Sequence, residues 1–507
     1  MKVNQLKISV FLSYFNIILN CAVNIVFSPF MIRQLGQAQY GLYQLIGSFV
    51  GYLTILNFGL GNAIIKYVAK YRHLKEEKEQ SNFLSIMLIL HILFSLIVSI
   101  IGVVLYFNLD KFFGNSLQSS ELDQARVMFI ILIINMMVAI PGGIFSSIIS
   151  GYEKYAIPRI LTILRTLSRI GVLIVVLIAA PSAINVVIVD TILNILVVLA
   201  NMVICLKKLK VKIHLYSFDK SLVKEVFGYS FYIFLNMIID QINWKVDQVV
   251  IGMRLSTVAV TIYSVGHTFS SIFQQFSTAI SGIFLPKATK MELEGQDGNK
   301  FTDFMIRVGR VQGIILIYIF VAFGLFGENF IKLLYGDGYR ESWISALVVM
   351  AGLLIPLMQN VGLSILQAKN KHKFYTITFL IATILNVIVS YIIVPYYGVV
   401  GVAIITALTL TVGHTIPLNI YYHKKLKINM KRFYKELLSK TLVIIVIVTL
   451  ITLFIMKFIS FNSWGTFIIL AVIYTVLYFG LMYLFGLNKE EKDYCNKFLR
   501  KIRGIGK

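Results

Sequence analysis

The chain has 507 residues, of which 58% are hydrophobic and 14% charged, and its formal net charge is +24. A soluble protein of this length would divide into domains joined by polar linkers. Here apolar runs of about 20 residues, enough to cross a hydrocarbon core, recur from end to end, which excludes a soluble enzyme and predicts an all-α, polytopic integral membrane protein.

The first run, within "MKVNQLKISVFLSYFNIILNCAVNIVFSPFMI", has the charged-then-apolar shape of a signal peptide. Its apolar part is too long and shows no small-residue cleavage site, so it is expected to be a retained helix. In chain order the spans are predicted at 10–32, 41–71, 83–107, 123–147, 160–180, 184–205, 227–252, 260–284, 305–327, 343–366, 374–395, 399–420, 440–459 and 465–486. The second is over-long and interrupted at "NFGLGNA", residues 57–63. Placing the N-terminus inside gathers most of the 47 Lys and Arg on the inner side or at adjoining span ends. That asymmetry is the positive-inside signature, and it accounts for the basic charge without nucleic acid. The longest outer connections, near 108–122 and 328–342, are too short for a soluble catalytic domain. No phosphate-binding G-x-x-x-x-G-K-[ST] loop, metal cluster or nucleophile elbow occurs, so neither a cofactor nor a metal is expected, and no residue is assigned as catalytic. The cysteines Cys21, Cys205 and Cys495 suggest no disulfide framework.

A shift of 220 residues superimposes Asn16 on Asn236, Asn20 on Asp240, Leu35 on Leu255 and Tyr43 on Tyr263. The two long outer loops coincide under the same shift. Helices one to six (1–212) and seven to twelve (213–428) therefore read as two copies of like orientation, pseudo-symmetric six-helix lobes about an axis along the membrane normal. Residues 429–507 add two helices and a basic tail.

Polar rows mark the candidate site. Asn236, Asp240, Asn243 and Asp247 are spaced four, three and four apart, so they share one helix face. Asn16, Asn20 and Asn24 form a related row. His267, Ser271, Gln274, Thr278 and Ser281 form a third. Asp240 lies about 20 Å of helix rise into its span, near the midplane, where an ionisable group costs about 2.5–3.5 kcal/mol to insert. Such groups mark transport paths, so Asp240, with Asp247, is the candidate ion-coupling site, for protons or sodium. The amides Asn16, Asn20, Asn236 and Asn243, with His267 and Gln274, are candidates to line a substrate cavity. The competing reading is that these rows hold helices together by hydrogen bonds; Asp247, near the outer end, is equally open to simple solvation.

Four cations are candidate anion ligands. Arg165 and Arg169 share a face of helix five. Asp190 is expected to lie about 9 Å nearer the outside, which would leave Arg169 poorly matched. Lys245 lies about 140° around its helix from Asp240 and is expected to snorkel outward. Lys66 sits near the inner mouth, where an ordinary snorkelling role competes.

The phrases "RQLGQAQYGLYQLIGSFVGYLTILNFGLGNAIIKYVAKYR" (33–72), "SGYEKYAIPRILTIL" (150–164), "DQVVIGMRLSTVAVTIYS" (247–264) and "YGVVGVAIITAL" (397–408) carry a resemblance. In them the chain resembles the Wzx-type oligosaccharide flippases, polysaccharide-biosynthesis proteins of the MOP/MATE-like transporter superfamily, which also contains drug-exporting MATE proteins and the lipid II flippase. The resemblance implies two six-helix lobes around a cavity that opens alternately to each side. It implies undecaprenyl pyrophosphate carrying an oligosaccharide as substrate, moved from inner to outer leaflet of the bacterial cytoplasmic membrane. A polysaccharide polymerase and glycosyltransferases would be its neighbours in the bilayer. A hydrated pyrophosphate-sugar head needs a polar cavity to replace its water, and amide and hydroxyl rows suit sugar hydroxyls. A MATE-type cation or drug antiporter and a membrane-embedded polymerase are the rival readings.

Overall fold

The computed structural model describes the backbone at residues 5–55, 59–281, 284–459, 463–493 and 496. Side chains are described there except at 5–11, 14, 50, 52–55, 229, 232–233, 235–236, 239–240, 242–244 and 279–281. All regular structure among these residues is helical.

The predicted interruption is present: α1 (Gln5–Ile55) gives way to α2 (Leu60–Leu74), whose cap, Gly59, is left-handed at φ 63°. Within α1 the chain leaves helical geometry at Gly36, with φ 76° and ψ 166°. Only glycine takes that conformation without strain, so the first two predicted spans meet at one residue. There follow α3 (Glu77–Phe107), the short α4 (Leu109–Phe113), α5 (Ser119–Gly151), α6 (Ala156–Ala179), α7 (Ala183–Val203), α8 (Lys220–Arg254) and α9 (Thr257–Ser281). Next come α10 (Leu285–Leu293), α11 (Gly298–Tyr335), α12 (Arg340–Met358), α13 (Val361–Ala368), α14 (His372–Leu408), α15 (Ile416–Leu426), α16 (Met430–Met456) and α17 (Trp464–Leu481). Gly398, at φ 60° and ψ −151°, breaks α14 where the eleventh and twelfth spans were predicted to meet.

Ten helical runs among the described residues are long and apolar enough to cross a membrane. Two of them, 15–49 and 372–426, contain the glycine breaks and extend over two predicted spans each. The predicted spans 227–252 and 260–284 correspond to α8 and α9, each of which contains side chains outside the described residues. Many span residues are buried by nothing in the protein: Val175 and Ile178 on α6, for example, are 68% and 65% exposed. In water this would be costly; in a bilayer, apolar side chains all round a helix are what the solvent requires.

By packing, the chain divides into one unit of residues 1–264 with 387–402, and another of 265–386 with 403–507. This differs from the division by repeat at 212/213 and 428/429, because α8 packs on α1. Gly252 of α8 meets Leu45 so closely that an added methyl would lie 2.5 Å from its Cδ1. Small residues let helix backbones approach where no hydrophobic effect drives association. In the first unit the core around this contact includes Leu42, Ile46, Phe113 and Val402, all nearly inaccessible. A second cluster there joins α2, α3 and α5 through Tyr67, Phe83 and Ile148. In the second unit α11, α16 and α17 pack through Phe326, Val448 and Tyr474.

Candidate functional site

In the first unit the helix face that carries two arginines is resolved by its neighbours. Residues 180–182 join α6 to α7, and Ser182 caps α7 by accepting from the Ile184 amide. The Arg169 Nε donates to Asp190 Oδ1 at 2.5 Å, and its Nη2 donates to Oδ2 at 3.1 Å. Tyr43 of α1 closes the group: its hydroxyl donates to Asp190 Oδ2 at 3.0 Å and accepts from Arg169 Nη2 at 3.0 Å. The expected mismatch of depth between Arg169 and Asp190 is therefore incorrect. A turn centred on residue 181 puts Arg169 opposite residue 193, within one helical turn of Asp190, and the long arginine arm covers the remainder. A bidentate carboxylate leaves Arg169 neutralised rather than free for an anion.

Arg165 is different. It lies one turn earlier on the same helix, half-buried, and its Nε is buried with no hydrogen-bond partner. Of the two arginines on that face it is the one with no ion pair among the described residues. Nearby, Asn194 of α7 donates to Asn135 Oδ1 of α5 at 2.7 Å.

The second acidic centre of this unit is on α8. Asp247 is 1% exposed, so solvation is not its role, and it accepts a 2.5 Å hydrogen bond from the Tyr263 hydroxyl of α9. Its neighbour Gln248 donates to Ser264 at 3.2 Å and accepts from Ser48 of α1. The side chains of Asn236, Asp240 and Asn243 lie outside the described residues, although the α8 backbone runs unbroken through them. Lys245 does not snorkel outward: it is half-buried, and a methyl on Gly51 of α1 would sit 3.8 Å from its Cγ and 2.9 Å from Gln241 Oε1. The lysine stem lies against α1 at Gly51, where the absence of a side chain lets α8 approach.

The remaining candidates stand apart. Asn20 donates to the Asn16 carbonyl at 2.8 Å and to its Oδ1 at 3.2 Å, so these two amides bond each other along α1. Lys66 is exposed, with its ammonium 5.4 Å from the Tyr67 ring centroid. In the second unit, His267 and Gln274 are half-buried on α9, where Thr278 donates to the Gln274 carbonyl at 3.4 Å.

The structure thus brings together Tyr43, Arg169 and Asp190, and separately Asp247 and Tyr263. The two tyrosines were not singled out as site residues, yet a signal existed. They are the pair superimposed by the 220-residue repeat, and each binds a carboxylate.

Long apolar helices, with an arginine–aspartate pair held between two of them, define a polytopic integral membrane protein. The chain is similar in fold to a solved lipid II flippase MurJ in an inward-closed conformation, with a TM-score of 0.69 and 18% identity over 94% of this chain and 98% of that one. It belongs to the polysaccharide biosynthesis protein family, which matches residues 8–292. Among curated relatives, the "Probable flippase AglR" of Haloferax volcanii is 28% identical over 34% of this chain and 36% of its own length. The "Capsular polysaccharide biosynthesis protein CapF" of Staphylococcus aureus is 25% identical over 43% of this chain and 53% of its own. The matched region thus spans between a third and about half of these relatives.

Proposed function

We propose that this protein is a flippase that moves undecaprenyl-pyrophosphate-linked oligosaccharide from the inner to the outer leaflet for surface polysaccharide export. It works by transport rather than catalysis, through fourteen crossings in two six-helix lobes with both termini cytoplasmic. Membership of the polysaccharide biosynthesis family, with a relative named as a probable flippase, supports the substrate class. The observation that carries the mechanism is Arg165, whose buried Nε has no partner among the described residues while Arg169, one turn away, is held by Asp190. A guanidinium left without a carboxylate inside a membrane protein is a ready ligand for a pyrophosphate, which takes two parallel N–H bonds. Alternating access is coupled to a proton or sodium gradient at Asp240. A MATE-type antiporter would share the fold, but its cationic cargo gains nothing from an unpaired arginine.

The test is a deletion strain. It should retain the lipid-linked oligosaccharide in the inner leaflet and lose a surface polysaccharide. Rescue by the Arg165→Ala variant should be weaker than by an Arg165→Lys variant or by the wild type. Normal surface polysaccharide in the deletion strain, with no second flippase present, would overturn the assignment. Reporter fusions at Gly114 and Lys507 should report opposite sides of the membrane.

A further inference from the structure

At the end of the first unit where α2 passes to α3, a cavity of 460 Å³ opens between residues 71–80, Tyr152 and the segment 209–212 that follows α7. That volume is within the range of small-molecule sites. Four cations line it, Arg72, Lys75, Lys210 and Lys212, against one carboxylate, Glu77. Among the described residues none of the three lysine ammoniums has an ion pair. The arginine is already fixed: its guanidinium stacks on the Tyr152 ring at 4.2 Å from the centroid and donates to the Gly151 carbonyl at 3.4 Å. Little rotamer entropy is then lost when its remaining N–H groups engage a ligand.

Tyr152 is oriented in the same sense. Its hydroxyl accepts from Gln80 Nε2 at 2.9 Å, which leaves its own proton to donate elsewhere. The first turn of α3 also borders the cavity, and its N-cap, Glu76, offers no side-chain cap to the free amides. Those amides and the helix dipole favour negative charge. Two of the lysines hold their places against backbone strain: Lys75 has φ 60° and Lys210 φ 52°, a left-handed conformation that glycine adopts at less cost. Either position would be more comfortable as glycine.

We propose that this cavity is a binding site for a phosphoryl group, a phosphate ester or pyrophosphate dianion, distinct from the arginine face of α6 and independent of the transport reading. The ammoniums neutralise the anion, the arginine fork and the tyrosine hydroxyl supply directional donors, and the opening of α3 contributes amides. The phosphoryl group comes either from solution or from an anionic lipid headgroup at the membrane surface, where basic pockets beside helices collect such headgroups.

Full-length protein in phosphatidylcholine nanodiscs is titrated with sodium pyrophosphate at constant ionic strength while its melting temperature is followed; a parallel series replaces part of the lipid with phosphatidylglycerol. A saturable rise with pyrophosphate assigns the soluble source, and a rise only with phosphatidylglycerol assigns the headgroup. In either case the Lys75→Gly/Lys210→Gly double variant should need about tenfold or more ligand. Because these glycines relax left-handed positions, the unliganded variant should melt no lower than the wild type. The exposed Lys212→Gln variant should weaken binding in the same direction. No saturable rise in either series, or an undiminished response in both variants, would overturn the proposal.

Discussion

Removing one partner of the Arg169–Asp190 pair should cost far more than removing both. In Asp190→Ala the guanidinium loses two hydrogen bonds, of 2.5 and 3.1 Å, and keeps only the Tyr43 hydroxyl. An uncompensated buried charge costs about 3–5 kcal/mol. These side chains are 21% and 19% exposed rather than fully enclosed, so partial solvation reduces the expected loss to about 2–3 kcal/mol. Replacing both with apolar residues of similar length, Arg169→Met with Asp190→Leu, removes the charges together and should bring stability to within about 1 kcal/mol of wild type. The expected coupling is therefore about 2 kcal/mol. Since a chain of this size rarely unfolds reversibly, the quantity to follow is thermal inactivation in nanodiscs, read as the fraction still monodisperse after heating. Flipping in proteoliposomes is measured alongside. If Arg169 is structural, the double variant keeps most of its transport while Arg165→Ala does not. A double variant as unstable as the worse single variant, or one that folds but does not transport, would refute this division of labour between the two arginines.

Asp240→Asn should abolish or severely slow flipping with near-normal abundance in the membrane, while Asp240→Glu keeps some activity; full transport by the Asn variant would remove it as the coupling site. Gly41→Ala should destabilise by about 3 kcal/mol, visible as a lower melting temperature, because an added Cβ would lie 1.8 Å from the Thr257 carbonyl oxygen; an unchanged melting temperature would mean that α1 and α9 do not pack this closely. Beyond α17, burial raises the Glu491 carboxyl, but two hydrogen bonds from Arg310, at 2.7 and 2.9 Å, and one from the Asn488 amide outweigh it and hold the carboxyl below its ordinary range. A depressed carboxylate contributes stability that is present above its unfolded value of about 4.3 and is lost as pH falls through the folded value. Glu491→Gln should therefore flatten the acid side of the stability profile below about pH 4.3, and an identical acid slope in both proteins would contradict the pairing.

The helical architecture was legible because membrane spans announce themselves by length and composition, and the break at 57–63 and the turn at Gly36 fell where glycine stood. Helical period also placed Arg165 and Arg169 on one face. What period cannot show is which of two like charges on a face meets a partner. That was settled by Tyr43, 126 residues from Arg169 and 147 from Asp190 in sequence, so the arginine expected to be poorly matched became the neutralised one. The alternative of simple solvation for Asp247 failed for a related reason. Distance from a helix end measures depth in the bilayer but not lateral cover, and cover came from Tyr263. The repeat held more information than its sparse identities suggested, because the two tyrosines it aligns both bind carboxylates.

The turn at Gly36 occupies a single residue, the turn between α8 and α9 only Leu255 and Ser256, and that within α14 again one glycine, Gly398. On the proposed orientation these are all extracellular. An antibody or protease arriving from outside the cell would find almost no polypeptide to grip at those places. The segments near 108–118 and 336–339 and the connection between α16 and α17 would be its principal footholds. Agents raised against this protein on living cells should therefore converge on those three short epitopes, and an affinity tag for surface detection belongs in one of them.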